Sequence, residues 1–233
     1  MIGFDVPRWL DALVGLQVGA GFFLGWIAFL GWLILRIGGP WVARSEARLA
    51  RDRAGAERYG WRPAADTDGM LAAAGYRCFG HSGEVSQVLA GDYEGRPIRI
   101  AEFRYIGRSK IPTTNVTHLI AIELPVRLPE LVVSHQTVLD PTLLSFAGES
   151  GAFNRLYYVA SPDHRYSSAV MHPRMMEWLL AHELDFRISG PLLVAYSPTP
   201  WTVRQTLATL PVLSGVAGLI PPFVLDDFGR PLR

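Results

Sequence analysis

The sequence predicts an α+β protein in which one N-terminal transmembrane helix is followed by a mainly antiparallel β domain with inserted and C-terminal helices. Three observations support this fold class. An uncharged apolar run fills residues 12–35, short stretches bounded by turn residues dominate the following part of the chain, and helical apolar stripes follow Pro173 and Pro200.

The composition excludes several classes of protein. Hydrophobic residues make up 49% of the 233 residues and charged residues 18%, so the chain is not disordered. The mean hydropathy of +0.19 is high for a soluble protein and indicates that some apolar side chains face lipid. The single cysteine, Cys78, excludes an intramolecular disulfide framework, and the net charge of +1 argues against nucleic-acid binding.

Residues 12–35 carry no charge, and Gln17 is their one strongly polar residue. A bilayer core about 30 Å thick needs roughly 20 helical residues, so this run is long enough to span it. Trp9 and Trp41 flank the run as interfacial anchors. The alternatives are a cleaved signal peptide, which would have a shorter apolar stretch, and a buried core helix, which would not be apolar all round.

Basic residues on the two sides of this run predict its orientation. Arg8 precedes the run, whereas seven arginines follow it within residues 36–62. The positive-inside rule then places residues 1–11 outside the cell and residues 63–233, as an α+β domain, in the cytoplasm. We therefore expect a single-pass protein of the cell membrane.

The juxtamembrane segment 36–62 is rich in arginine. Seven arginines against three acidic residues give it a net charge of +4. We predict that these arginines contact the membrane surface, where anionic lipid headgroups attract them; the alternative is that they only enforce the topology. The residues predicted to make this contact are Arg36, Arg44, Arg48, Arg51, Arg53 and Arg58.

Two glycine pairs in the apolar run have the spacing that lets two helix backbones approach closely. They are Gly15 with Gly19 and Gly21 with Gly25. Helix packing through either pair would produce a homodimer. Because the pairs lie six residues apart, they do not share one helix face.

Turn residues divide the first part of the domain into short elements. Residues 66–69 predict a turn followed by a short helix. Predicted strands cover residues 86–91, 96–105, 117–124, 131–136 and 153–160. A turn at 92–95 separates the first two strands, with Gly95 suited to a positive φ. Pro125 and Pro129 predict a loop between the third and fourth strands.

Prolines mark the helices of the second part. Ser161-Pro162, Pro173 and Thr199-Pro200 each predict a helix start, and Pro211 should end or bend the last helix. Between the last two helices, residues 185–189 and 192–197 predict a hairpin around Gly190-Pro191.

Residues 205–225 carry no charge. The prolines within this stretch favour packing on the sheet, and the alternatives are a second membrane span or a segment lying on the membrane surface.

The predicted elements resemble known proteins in two ways. Seven strands and a closing helix resemble the pleckstrin-homology-like barrel in outline, which implies no ligand. The segments VLAGDYEGRPIRIAEFRY, THLIAIELPVRLPEL and FNRLYYVASPDHRYSSAVMHPRMMEWL, after one N-terminal helix with an arginine-rich exit, are similar to single-helix membrane proteins of actinobacterial type. That group has no established activity, so the resemblance implies no site residues.

The sequence contains no complete catalytic motif. His182-Glu183 begins like a zinc-protease motif, but Phe186 stands where the second histidine should be. We therefore predict no catalytic, cofactor-binding or metal-binding residues and no cofactor. We also expect no pocket in which Cys78 or a serine lies with a histidine and a carboxylate within about 4 Å of one another.

The resulting hypothesis is a membrane-anchored cytoplasmic domain with a non-catalytic interaction or regulatory function. Its expected partners are the lipid bilayer, a second copy of the chain through the transmembrane helix, and a protein of unknown identity; nucleic acid is excluded. Two alternatives stay open, a membrane-associated hydrolase-like enzyme and an anionic-lipid-binding module. A deep pocket with convergent polar groups would favour the enzyme, and a flat apolar patch would favour the interaction domain.

Overall fold

The chain divides into two compact units, Met1–Ala54 and Gly55–Arg233. The computed structural model describes residues 55–79, 82–106, 113–135, 143–199 and 201–232, all of which belong to the second unit. The predicted transmembrane segment 12–35 lies outside the described residues.

Seven strands and six helices have defined bounds within these ranges. The strands are β1 (Arg62–Pro63), β2 (Gly83–Tyr93), β3 (Arg96–Ile106), β4 (Thr114–Ser134), β5 (Leu144–Phe146), β6 (Tyr158–Ser161) and β7 (Phe186–Ser197). The helices are α1 (Met70–Phe79), α2 (Gly151–Leu156), α3 (His164–Val170), α4 (Pro173–His182), α5 (Val203–Leu219) and α6 (Pro222–Phe228). Residues 55–58 are also helical.

The strands form one antiparallel sheet, which confirms the predicted α+β class. Its order is β1-β2-β3-β4-β6-β5, and β7 pairs with the opposite side of β4. The described strands do not close into the pleckstrin-homology-like barrel suggested by the element count, because β1 and β5 lie at the two ends of the order and do not pair. The strand count alone could not distinguish an open sheet from a closed one.

Helices cover both faces of this open sheet. On one face, Leu71 and Ala74 of α1 pack against Phe103 and Val194. On the other face, α3, α4, α5 and α6 pack over a larger core. The sheet is therefore the middle layer of three, and its central strands are buried on both sides.

β4 is one strand of 21 residues where the sequence predicted two strands and a loop. On one side of β4, β3 pairs with the first part of the strand and β6 pairs with its last three residues. The stretch between them is paired on its other side only, with β7. The backbone of Arg127 faces the open side and bonds to Arg230. Because backbone groups alternate along a strand, the backbone nitrogens of Pro125 and Pro129 point to the same open side as that of Arg127. No strand pairs with β4 there, so the N–H that proline lacks removes no hydrogen bond from the sheet.

β7 is likewise one strand where the sequence predicted a hairpin around Gly190-Pro191. Gly190 has a φ of +60° and pairs with Leu128, where the β4–β7 register shifts. Ile188 and Leu193 both belong to the larger core, although regular alternation would place them on opposite faces. The irregularity at Gly190 is thus a bulge that resets the alternation.

Residues 153–160, predicted as one strand, form α2 followed by β6. The Ser150 hydroxyl accepts a hydrogen bond from the backbone N–H of Phe153 and caps α2. The turn at 92–95 is confirmed, since Gly95 has a φ of +76° and its N–H donates to Asp92. The helices predicted after Gly69 and at Pro173 are also confirmed.

The uncharged stretch 205–225 packs on the sheet through α5 and α6, and Leu210, Leu213 and Val224 are buried there. Of the two outcomes predicted at Pro211, an end or a bend of the helix, the end is wrong, because α5 continues to Leu219. In the described part of the chain, no single helix has the length and hydropathy of a membrane span. Only α5 and α6 together, bent by 69° at their junction, meet that criterion.

Candidate functional site

A polar cluster ties the end of β4 to the loop before β7. The Ser134 hydroxyl donates to Oδ2 of Asp185 at 3.0 Å, and the backbone N–H of His135 donates to Oδ1 at 3.0 Å. The His135 ring nitrogen Nδ1 lies 2.5 Å from the same Oδ1. The Asp185 carboxylate therefore holds Ser134, the last residue of β4, and His135, which follows it.

The order of these bonds does not suit nucleophilic catalysis. In a catalytic triad the histidine lies between the serine and the carboxylate and takes the serine proton. Here Asp185 lies between Ser134 and His135, and Ser134 is only 2% exposed. The three groups meet at the end of β4, away from the cavity described below, and their arrangement fixes the strand end.

The ring of Tyr157 packs against this cluster. Its ring lies 4.2 Å from the His135 ring and stacks at 4.8 Å on Phe153, measured between centroids. Its hydroxyl donates to the carbonyl of Leu179 at 3.0 Å. Burial, assisted by the nearby Asp185 carboxylate, raises the pKa of Tyr157, so this hydroxyl stays a neutral donor.

A second polar cluster lies on β2, β3 and β4. Glu102 accepts hydrogen bonds from Ser86 at 3.3 Å and Arg104 at 3.0 Å, and its other oxygen lies 4.0 Å from Nδ1 of His118. Burial lowers the pKa of His118, and the Glu102 carboxylate opposes this only in part. As in the first cluster, the carboxylate, here Glu102, lies between the serine and the histidine. Its position does not suit proton transfer from Ser86 to His118.

The buried His118 predicts a dependence of stability on pH. Below about pH 6.5 the unfolded chain binds a proton at this histidine that the folded chain resists, so stability falls as the pH is lowered. We expect His118→Gln to reduce the loss of thermal stability between pH 7.5 and pH 5.5, relative to wild type and to the exposed control His182→Gln. Equal losses in all three proteins would contradict this interpretation.

Arg99 joins the start of α1 to the sheet. Its guanidinium donates to Asp68 at 2.7 and 2.9 Å and to Glu123 at 2.8 Å. Asp66, 3.7 Å from the guanidinium, accepts a hydrogen bond from the backbone N–H of Leu71. The Arg99 hydrogen bonds lower the pKa of Asp68 to about 2. This network therefore fixes the start of α1 against the sheet.

A cavity of about 250 Å³ lies between α4 and the loop before α2. It is lined by Glu149, Ser150, Pro173, Met176, Glu177 and Leu180. The Ser150 hydroxyl is engaged in capping α2, and no lining residue is basic. Its ionisable lining residues are Glu149 and Glu177.

The outward side of α5 after Arg204, together with the start of α6, carries no charged residue, and we call it the outer face. It consists of Ala208, Pro211, Gly218, Leu219, Pro222 and Phe223, all exposed or partly exposed. The exposed Asp226 and Asp227 lie one turn after Phe223 on the same side of α6. No charged residue lies between Arg204 and Asp226. A surface helix normally carries charges on its solvent side, so this face has the character of a contact surface.

Neighbouring elements bound the outer face on two sides. A Cβ at Gly215 would lie 2.3 Å from the Trp178 ring, so α4 packs closely on α5. The Trp178 indole N–H donates to the carbonyl of Val212 at 3.2 Å. On the other side, the Ser214 hydroxyl donates to Glu94 in the turn between β2 and β3. Gly215 lies on the same side of α5 as Ala208 and Leu219, so Trp178 covers part of this side. A Cβ at Gly218 would lie 4.0 Å from Nη2 of Arg96, which approaches the same side from β3.

The second unit begins beside the first turn of α5. A Cβ at Gly55 would lie 3.2 Å from Cγ2 of Val203, so the two residues are in contact. Arg58, three residues further on, is exposed, and so is Arg204. Neither arginine makes an ion pair with a described residue. The exposed Glu57 precedes Arg58, so the exposed charges in this region are of both signs.

Most of the predicted site residues lie outside the described residues. These are Gly15, Gly19, Gly21, Gly25, Arg36, Arg44, Arg48, Arg51 and Arg53. Arg58 is the member of the predicted set that the structure describes, and its exposure is compatible with surface contact. The described residues contain no group of three or more histidine, cysteine, aspartate or glutamate side chains able to hold a metal ion.

Comparison with known proteins gives one informative similarity. No protein-family model matches the chain, and no curated protein matches it. The fold is similar to the crystal structure of the mycobacterial trehalose monomycolate transport factor A, TtfA, with a TM-score of 0.56 and 14% sequence identity. The similarity covers 79% of this chain and 97% of that chain. At this identity the likeness establishes a shared fold.

Proposed function

We propose that this chain is a single-pass membrane protein whose cytoplasmic domain, residues 63–233, is a non-catalytic accessory factor in lipid transport. The observation that carries the proposal is the fold similarity to TtfA, which extends over 97% of that lipid transport factor. The uncharged run 12–35 supports membrane anchoring, and the excess of arginines after it supports the orientation with the N-terminus outside. We also propose that the chain is related to the single-helix membrane proteins of actinobacterial type.

An accessory factor acts through surfaces, and the outer face of α5 and α6 is the surface best suited to this. Its exposed or partly exposed Ala208, Pro211, Leu219 and Phe223 are apolar, as is typical of an interaction surface. Its expected partners are the bilayer and a protein of the transport machinery. A homodimer formed through Gly15 with Gly19, or Gly21 with Gly25, stays a prediction.

The hydrolase-like alternative depends on the cluster of Ser134, His135 and Asp185. The bonding order argues against it, since Asp185 separates the serine from the histidine. A nucleophilic serine would also need to meet substrate, and Ser134 is buried. The cluster is better explained as a structural link between β4 and β7.

Lipid transfer after depletion of the protein tests this proposal. In the organism that makes this chain, depletion should reduce the transfer of newly made, radiolabelled lipid from the membrane to the outer envelope. Wild-type protein should restore the transfer, and so should Ser134→Ala and His135→Gln. Each variant removes one side-chain contact with Asp185 at a cost of about 1 kcal/mol, which the domain should tolerate, and the amount of each protein is measured alongside the transfer.

Two results would contradict the proposal. Unchanged lipid transfer after depletion would show that the protein is not needed for this transport. Loss of transfer with a stably produced Ser134→Ala protein would favour the hydrolase instead.

A further inference from the structure

We propose that α6 and the residues after it form a lid that opens locally while the sheet beneath it stays folded. The lid consists of α6 (Pro222–Phe228) and the tail, by which we mean residues 229–232. When the lid is closed, it covers Tyr166 of α3 and part of the open side of β4. This inference does not depend on the proposed transport function.

The closed lid covers a hydroxyl that lacks a hydrogen bond. Tyr166 is 0% exposed, and its ring lies 5.4 Å from the ring of Phe228, measured between centroids. Its hydroxyl has no hydrogen-bond partner among the described residues. Burying such a group without a partner costs free energy, and water satisfies the group once the site opens. The Tyr166 hydroxyl therefore lowers the cost of opening the lid.

α6 is held by few strong contacts. Val224 is its one fully buried residue, and Leu225 and Phe228 are only partly buried. Among the described residues, no side chain forms a hydrogen bond that caps the helix at Pro221. A helix of seven residues without such a cap depends on the packing of its apolar side. Little buried surface is therefore lost when α6 moves away from the core.

The tail pairs with β4 through a single residue. Arg230 donates its N–H to the carbonyl of Arg127 at 2.9 Å, and its carbonyl accepts from the Arg127 N–H at 2.8 Å. In an antiparallel ladder the next hydrogen-bonded positions of β4 would be Pro125 and Pro129, which have no N–H. Pro231 follows Arg230 and also lacks this donor. The pairing therefore cannot extend into a regular ladder.

The two paired residues of this bridge also repel each other. Arg127 and Arg230 lie directly opposite on the two segments, and both are exposed. Like charges in this position destabilise strand pairing. Neither arginine forms an ion pair with a described residue, and this includes Asp226 and Asp227, the exposed acidic residues of α6. The bridge therefore closes the tail only weakly.

The end of α5 provides a fixed point about which the lid can move. The two helices are bent by 69° between Leu219 and Pro222. Nε2 of His172 donates to the carbonyl of Leu219 at 2.9 Å, and Ile220 is buried. These contacts keep the last turn of α5 on the core, so the movement is confined to the chain from Pro221 onward.

Closure of the tail requires glycine at position 229. A Cβ at Gly229 would overlap the carbonyl oxygen of Leu225 and would lie 2.8 Å from Cγ2 of Val126 on β4. Gly229→Ala should therefore prevent full closure. Gly151, at the start of α2, supplies the matched control, because a Cβ there would meet no described atom within 4 Å.

Hydrogen exchange of the full chain in detergent micelles, followed by mass spectrometry of peptic fragments, tests the lid. The amides of residues 222–232 should exchange faster than those of β7, because local opening exposes the lid and only global unfolding exposes the central strands. Tyr166→Phe should slow lid exchange on the order of tenfold, since it removes the hydroxyl that opening hydrates. Tyr76→Phe, at an exposed position of α1, should leave lid exchange unchanged.

Two further variants change the closure itself. Arg230→Glu places an acidic side chain opposite Arg127 and should slow lid exchange several-fold, whereas Arg155→Glu, at an exposed position of α2, should not. Gly229→Ala should speed lid exchange on the order of tenfold, because the added methyl group overpacks the closed form, and Gly151→Ala should not.

Three results would overturn the inference. Lid amides that exchange no faster than those of β7 would show that the lid does not open on its own. Unchanged or faster lid exchange in Tyr166→Phe would show that the hydroxyl does not favour opening. Lid exchange equal to that of wild type in both Gly229→Ala and Arg230→Glu would show that the tail does not control opening.

Discussion

Replacing Glu130 with alanine should lower the free energy of unfolding by about 3 kcal/mol, because it leaves the charge of Arg187 buried without its acidic partner. Arg187 lies on β7 and is only 2% exposed, and its Nη2 donates to Oε1 of Glu130. The Nε of Arg187 has no hydrogen-bond partner among the described residues, so this guanidinium already has an unsatisfied donor there. For a domain of this size, a loss of this magnitude lowers the melting temperature by about 6–12 °C.

Thermal unfolding of the full chain in detergent, followed by tryptophan fluorescence, measures this effect. Glu84→Ala, at an exposed position of β2, is the control and should change the midpoint by less than about 2 °C, as surface substitutions do. The double variant Glu130→Leu with Arg187→Met should recover most of the loss, since apolar side chains of similar volume replace a buried ion pair well. A midpoint for Glu130→Ala equal to that of Glu84→Ala would contradict the importance of this pair.

Local sequence signals predicted those elements whose geometry is set by neighbouring residues. Gly95 could be assigned to a positive φ because Asp92, three residues earlier, supplies the side chain that caps the turn. Pro173 could be assigned to a helix start because proline fits the first helical turn. Such features need no knowledge of the rest of the fold.

The same signals failed where the sheet decides the outcome. Pro125 and Gly190 are turn residues by type, but they lie in long strands because β4 lacks a second neighbour there and β7 forms a bulge. Phe153 was assigned to a strand, yet the cap by Ser150 places it in a helix. A proline or glycine signals irregular backbone, and only the pairing partner determines whether this is a loop or a bulge.

Of the surfaces and clusters discussed as candidate sites, the sequence alone predicts the outer face but not the cluster of Ser134, His135 and Asp185. The missing charge in residues 205–225 is visible in the sequence, and it marks the outer face of α5 and α6. The cluster of Ser134, His135 and Asp185 gives no such signal, because about 50 residues separate its members and only the β4–β7 pairing joins them. The pairing of Arg187 with Glu130 was missed for the same reason.

Deletion of residues 12–35 should produce the largest change in the behaviour of this chain, because it removes the proposed anchor. The full chain should sediment with membranes and resist extraction at alkaline pH. The deletion variant should lose that resistance, since a run of this length and hydropathy is what makes insertion stable. The domain should still fold, because its core and its sheet lie entirely within Gly55–Arg233.

The location of the C-terminus tests the proposed membrane anchoring and orientation most directly. One reporter that is active only in the cytoplasm, and one that is active only outside it, are each fused after Arg233 of the full chain. Seven arginines after the apolar run against one before it predict that the cytoplasmic reporter is active in the membrane fraction and the other silent. Activity of the external reporter, or a cytoplasmic reporter found in the soluble fraction of the full chain, would contradict a membrane-anchored cytoplasmic domain.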